Sequence, residues 1–335
     1  MKFKLFPFVL ILFSVFLACA AFADDQKPRA VLLLEHEKPS AWNDMLRKGF
    51  AETARKYGFA PSVAIISSGK DLSGQFDKEV AQSALAIVAS DKLHETLRDN
   101  AAKFRRVKFG SIDAGIRAAN IMSVTFKDEE AACLAGNAAA MVAAKLDGPD
   151  APIGWLSGED SPAMRTLYNG FAECAKLANS KVRLAQALLS SFDDEEGAAY
   201  KAGQLCEQGV KVLVLAAGSG NVRAANELAK SDVWLITVDD RLVQPNVLAW
   251  LVRRADRAVA DIVESASTTF RAKQIEARGL SDAYVDFELT KNLEKKEPQL
   301  FGELQRRVRE LRTELVKGNM RLPSLRARTL CDCLD

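Results

Sequence analysis

The chain has almost no histidine: two in 335 residues, His36 and His94, without the close spacing of a metal-binding pair. A serine nucleophile needs a base, and no histidine follows a plausible elbow such as G-x-S-x-G. A phosphate loop is missing as well. The glycine-containing stretch "LAAGSGN" lacks both the Gly-Lys-Ser/Thr ending and the three-glycine dinucleotide fingerprint. Net charge is also small. Taking Lys2 and Lys4 away with the leader described next leaves 44 of the 46 basic residues against 44 acids, so no global field draws nucleic acid or anionic lipid. The charged closing helix "EPQLFGELQRRVRELRTELVKG" alternates acids and bases and reads as a solvated face.

Long apolar runs are confined to one place. Lys2 and Lys4 precede the run Leu5 to Leu17, and "ACAAFA" follows, with Ala21 and Ala23 at the positions a signal peptidase reads. Residues 1–23 are therefore expected to be a cleaved secretory leader and the mature protein to be periplasmic; the run is short for a membrane span and no second one follows. The alternative reads "FLAC" as a lipoprotein box that puts a lipid on Cys19, but Phe16 and Leu17 are bulkier than such a box usually has. Beyond the leader, Cys133, Cys174, Cys206, Cys331 and Cys333 form an odd set, which leaves at least one thiol free or bonded between molecules. The tail "CDCLD" has no partner histidines for a metal site. No metal or cofactor is expected.

What the chain does have is strands. Short β-branched apolar runs, "AVLLLEH", "SVAIISS", "ALAIVAS", "VKFGSID" and "IMSVTF", alternate with helical patterns. After the Ala-rich block "FKDEEAACLAGNAAAMVAAKLDGPDAP" come "PIGWLSG", "LAQALLSS", "VKVLVLAAG" and "VWLITVDD". Continuous apolar strands separated by helices predict parallel sheets covered on both faces. They are too many for one compact sheet, so the expected class is α/β with two doubly wound lobes and a crevice at the carboxyl ends of the strands. A long amphipathic helix is expected over roughly residues 247–271, followed by a last strand, "AYVDFEL".

Candidate site residues then follow from position. Ser40 is placed to cap the helix after the first strand, with Trp42 and Asn43 in its first turn; Trp42 is read either as packing or as a flat face for a ligand. Asp113 ends "KFGSID" and Asp239 ends "VWLITVD", where each carboxylate would accept hydrogen bonds from adjacent hydroxyls, as on a sugar, or serve as a cap or turn residue. Gly218 and Ser219 lie in a loop whose N–H groups could approach a ligand. Phe192 is a second strand-end aromatic, and Arg253, on the expected helix, could donate a planar pair of hydrogen bonds or form a surface ion pair. Carboxylates alone could do acid and base work, as in a nucleoside hydrolase, but the first strand ends in "EHEKPS" where a calcium motif would be needed. A binding protein rather than an enzyme is expected.

At "IMSVTFKDEEAACLAGNAAAM" the chain resembles the basic membrane protein family of ABC-transporter binding proteins, which includes purine nucleoside receptors. "KFGSID", "IGWLSGEDSPAMRTLYNGFAECAK", "SSFDD", "VLVLAAGSGN", "ITVDD", "LVRRADRAV" and "LVKGNMRLPS" extend the likeness over nearly the whole mature chain. The resemblance implies a type I periplasmic binding fold of two lobes joined by three crossovers. On it, the first lobe is expected from 28–123 plus 244–276 and the second from 124–243 plus 277–330. It implies a nucleoside, purine favoured, or a related ribose-bearing or aromatic ligand, and ABC permease subunits as partners; nucleic acid is not among them. Membrane contact would come only through the transporter or a lipid at Cys19. Carried over, Trp42 takes the place of the family's stacking phenylalanine, Asn43 its asparagine, Phe192 its second aromatic, and Asp113 and Asp239 its strand-end aspartates. Arg253 stands where lysine is usual, and Pro39, Ser40 and Ala41 replace the family's Asp-Lys-Ser. A sensor for a signalling receptor, a sugar binder and, more distantly, a nucleoside hydrolase are the alternatives.

Overall fold

The computed structural model describes residues 27–35, 38–66, 71–320 and 322. The expected leader at 1–23, Cys19, His36, Cys331 and Cys333 lie outside the described residues.

The first half alternates as anticipated: β1 (Arg29–Leu34), α1 (Ala41–Lys56), β2 (Ala60–Ile65), α2 (Leu72–Ala81), β3 (Leu85–Val88), α3 (Asp91–Asn100), β4 (Lys108–Ile112) and β5 (Ile121–Phe126). Helix α1 starts where Ser40 accepts a hydrogen bond from the Asn43 N–H, and its buried residues Asn43, Leu46, Gly49, Phe50 and Ala54 recur at helical spacing. The chain then crosses to α4 (Asp128–Asp147), β6 (Pro152–Ser157), α5 (Pro162–Ala178), β7 (Arg183–Leu188), α6 (Glu195–Glu207), β8 (Val212–Ala216), α7 (Gly220–Glu227), β9 (Trp234–Val238) and β10 (Val247–Arg253). It returns through α8 (Ala255–Ser267) and β11 (Ile275–Arg278), and ends with β12 (Val285–Leu289), α9 (Asn292–Lys296) and α10 (Pro298–Val316).

Two six-stranded sheets result, ordered β11-β5-β4-β3-β1-β2 and β12-β10-β9-β8-β6-β7. Pairings are parallel apart from β10 with β12, which places Arg253 opposite Val285. This is the α/β class of the type I periplasmic binding fold. The strands at the centre of each sheet, such as β3, β6, β8 and β9, are buried along their whole length, as a sheet covered on both faces requires.

Two expectations need correction. The stretch from Val247 to Arg253 is strand β10, not the opening of a helix; the helix begins at Ala255. Its "VLAWLVR" is a continuous apolar run, which periodicity alone cannot assign. Because β10 hydrogen-bonds to β9 and β12, residues 247–253 belong to the second sheet, and the return to the first lobe follows Arg253 instead of residue 243. The edge strand β11 was not foreseen at all. Short and only partly buried, "IEAR" carries no apolar run to mark it.

Candidate functional site

In both sheets the carboxyl ends of the strands face one cleft, about 960 Å³ with its mouth included, lined by residues of both lobes. Two of these strand ends are built alike. Asp113 follows β4 and Asp239 follows β9, and both adopt left-handed backbone conformations, with φ of 73° and 66°. Such a conformation costs a non-glycine residue about 1–2 kcal/mol, least for Asn and Asp. The fold holds both in the same way. The Asp113 N–H donates to Val124 O at 2.9 Å and the Asp239 N–H to Leu251 O at 2.8 Å. Two residues earlier, the Ser111 hydroxyl donates to Ala114 O and the Thr237 hydroxyl to Asp240 O, closing each turn from beneath. The carboxylates are thereby turned into the cleft from opposite lobes.

Between them stands Arg253, the last residue of β10, only 4% exposed. Its Nη2 donates to Asp239 Oδ2 at 2.6 Å and its Nε lies 3.2 Å from both Asp239 oxygens, while Nη1 reaches Asp113 Oδ2 at 3.0 Å across the cleft. A third acid, Asp128 at the start of α4, lies 3.9 Å from Nη1. Burial works against a charge on Arg253, but Asp239, Asp128 and Asp113 together raise its pKa further. Burial raises the Asp113 carboxyl despite the opposing pull of Arg253, and raises Asp128 far more strongly. The cation at the centre of these carboxylates is therefore the protein's own guanidinium, neither the surface ion pair nor the helix residue of the sequence reading.

The aromatics come one from each lobe. Trp42, in the first turn of α1, has the Arg253 guanidinium 4.2 Å from its ring centre and the Phe126 ring edge-on at 5.9 Å. Phe192, in the loop before α6, lies on the other side of the cleft. A Cβ on Gly158 would come within 2.2 Å of the Phe192 ring, and one on Gly218 within 2.8 Å of its Cβ. Glycine is also favoured at 218 by its left-handed φ of 62°. Gly218 thus makes room for an aromatic ring. Ser219 departs from expectation: its N–H and hydroxyl both donate to the Phe192 carbonyl, at 3.0 and 3.1 Å, and it is not among the cleft-lining residues. It fixes the Phe192 loop instead of presenting donors to a ligand. Asn43 is buried beside Trp42 and lines the cleft.

Trp42, Asn43, Asp113, Phe192, Gly218, Asp239 and Arg253 therefore meet at one cleft. Sequence reasoning missed Asp91, His94, Glu159, Ser161 and Asp240, which also line it, and Asp128 behind it. Asp240 directly follows a singled-out aspartate and was within reach of the strand-end argument; His94 lies inside a helix and gave no such signal. Lys38 adds a link across the mouth, from its Nζ to Asp193 O at 2.8 Å and to Glu195 at 3.6 Å.

Comparison with known proteins gives a consistent picture. The profile of the family described as Bmp, ABC transporter substrate-binding protein PnrA-like, matches residues 38–318. Basic membrane protein A1 of Borrelia garinii subsp. bavariensis is 22% identical over 94% of this chain and 95% of its own. Basic membrane protein D of Borreliella burgdorferi is 28% identical over 76% of each. Among solved structures, an ABC transporter solute-binding protein from Aeropyrum pernix superposes with a TM-score of 0.79 at 20% identity, covering 89% of this chain and 94% of that one. Among the described residues, no helix is long and apolar enough to cross a membrane.

Proposed function

The chain belongs to the PnrA-like Bmp family of ABC transporter substrate-binding proteins, and from that premise we propose that it captures a nucleoside, purine favoured, or a closely related ribose-bearing ligand outside the cytoplasm for an importer. One observation carries the reading. Two strand-end aspartates from opposite lobes converge within one cleft that is also bounded by an aromatic side chain from each lobe. The ring of the ligand lies in the space bounded by Trp42 and Phe192, and its adjacent hydroxyls bond to Asp113 and Asp239.

Arg253 competes with the ligand for these groups, since it covers Trp42 and donates to both carboxylates. A carboxylate offers about four acceptor positions, and the Arg253 hydrogen bond to Asp113 uses Oδ2 alone. Sharing is therefore feasible without breaking the buried ion cluster. The chemistry required is binding and closure, with no bond made or broken.

A thermal-shift panel of purine and pyrimidine nucleosides, free bases and free sugars tests the proposal. A ligand that binds only the folded protein stabilises it by about 2.7 kcal/mol at 100 times its Kd. Nucleosides are expected to raise the melting temperature, and Asp113→Ala and Asp239→Ala each to abolish that rise while the protein remains folded. A shift with a free sugar and none with any nucleoside would replace the nucleoside by the sugar.

A further inference from the structure

His94 is a buried imidazole at the cleft whose nearest charged neighbour is Asp91, on its own helix. It sits on the inner face of α3 beside Leu93 and Leu97, is 4% exposed, and lines the cleft. Neither Nδ1 nor Nε2 has a hydrogen-bond partner among the described residues. The acid one turn earlier, Asp91, is 3.7 Å from Nδ1, within reach of charge but beyond a hydrogen bond. Buried polar side chains are ordinarily satisfied; here a few away from the cleft, such as Asn137 Oδ1, Trp155 Nε1 and Asn246 Oδ1, also lack a partner among the described residues. Asn100, by contrast, donates to the Ser73 hydroxyl at 3.0 Å and accepts from Lys103 Nζ. Among the described residues with such atoms, His94 alone lines the cleft, with both ring nitrogens lacking a hydrogen bond, and the missing partner is accounted for if the ligand supplies it.

The chemistry of that partner is constrained. A neutral imidazole presents one donor and one acceptor. An anionic group would meet Asp91 beside the ring and Asp113, which lies within electrostatic range of His94. An apolar group would leave both nitrogens unpaired. A hydroxyl meets both constraints: it is uncharged, and it can donate to or accept from the one ring nitrogen it faces.

We infer that His94 is a specificity-determining residue that hydrogen-bonds a third hydroxyl of the ligand, the primary 5′-hydroxyl of a ribosyl group whose adjacent pair is held by Asp113 and Asp239. This rests on the nucleoside reading of the cleft and deepens it. Ligands that lack oxygen at that carbon are discriminated against because they leave a buried imidazole unpaired.

Calorimetric titration of the full chain with two matched pairs, inosine and 5′-deoxyinosine, adenosine and 5′-deoxyadenosine, tests the inference. Wild type is expected to bind the better parent nucleoside roughly tenfold or more tightly than its deoxy partner, the size of penalty set by one unpaired buried group. His94→Phe closes the gap by weakening the parent nucleoside, and His94→Asn, which keeps a donor and an acceptor, restores part of it. Equal binding of parent and deoxy compound by wild type overturns the assignment and leaves the nucleoside reading standing; this comparison needs no variant to fold. A folded His94→Phe protein that keeps the wild-type gap overturns it as well. If wild type binds none of the four compounds and the wider panel contains no nucleoside ligand, the nucleoside reading falls and this inference with it.

Discussion

Asp240 holds its proton to higher pH than a free aspartate, because burial penalises its charge; its pKa rises from 3.8 to about 6 although Asn221 Nδ2, at 2.7 Å, favours the ionised form. The folded pKa exceeds the unfolded one, so the native state binds more protons between the two. The contribution of Asp240 to stability is therefore fully present below about pH 4 and is lost as pH rises through about 6. Asp240→Asn removes the titration and keeps an oxygen for Asn221. Its stability, from urea unfolding at a series of pH values, is expected to change less between pH 4 and 6 than that of wild type; parallel profiles would refute the assignment. At this scale the strand-end aspartates were legible, because the end of an apolar run marks where a parallel sheet delivers side chains to its crevice. Arg253 was legible as a possible donor but was placed on a helix, since its run looked helical. His94 and Asp128 were not legible, because a single polar residue on a helix acquires its neighbours only when the lobes meet.

Helices α4 and α5 show how elements take over where residues leave matters open. Gly136 and Gly170 let the two backbones touch: a Cβ on Gly136 would lie 1.9 Å from Phe171 O, and one on Gly170 would lie 2.8 Å from Glu129 O. That close crossing brings Cys133 and Cys174 to a Cα separation of 4.9 Å, and they form a disulfide across 41 residues of sequence. From the sequence the odd cysteine set fixed no pairing; the helix crossing pairs Cys133 with Cys174, and Cys206 has no disulfide partner among the described residues. Closing a loop of this length is worth about 4 kcal/mol by chain entropy, with 2–4 kcal/mol typical of measured bridges. The Cys133→Ser/Cys174→Ser protein is expected to lose roughly 2–4 kcal/mol in denaturant unfolding. It should also become indifferent to reductant, whereas wild type in reductant falls to the level of the variant. An unaltered midpoint in the variant would mean that packing of Gly136 against Phe171 holds the crossing without the bond.

Across the whole molecule the chain passes between lobes three times, at 126–128, 253–255 and 278–280, and two of these crossovers carry the central ion cluster. Asp128 opens α4 just after the first, and Arg253 closes β10 just before the second. The cluster and the hinge are thus the same place, so a change at Asp113 on the far lobe is felt where the lobes join. The alternation of strands and helices made two lobes legible, but the path between them was not, because both sides of the second crossover are apolar and nothing in "VLAWLVRRADRAV" marks a change of sheet. The polar links across the cleft include Arg253 with Asp113 at 3.0 Å and Lys38 with Asp193 O at 2.8 Å. The exposed Lys38 contact is worth little by itself, whereas removing one partner of a buried pair is costly. Asp113→Ala should therefore shift the lobes toward a more open arrangement, seen as a larger radius of gyration in small-angle scattering, while Lys38→Ala leaves that radius near the wild-type value. If the two variants scatter alike, Arg253 serves its own lobe through Asp239 and does not couple the lobes, and closure must be driven by the ligand alone.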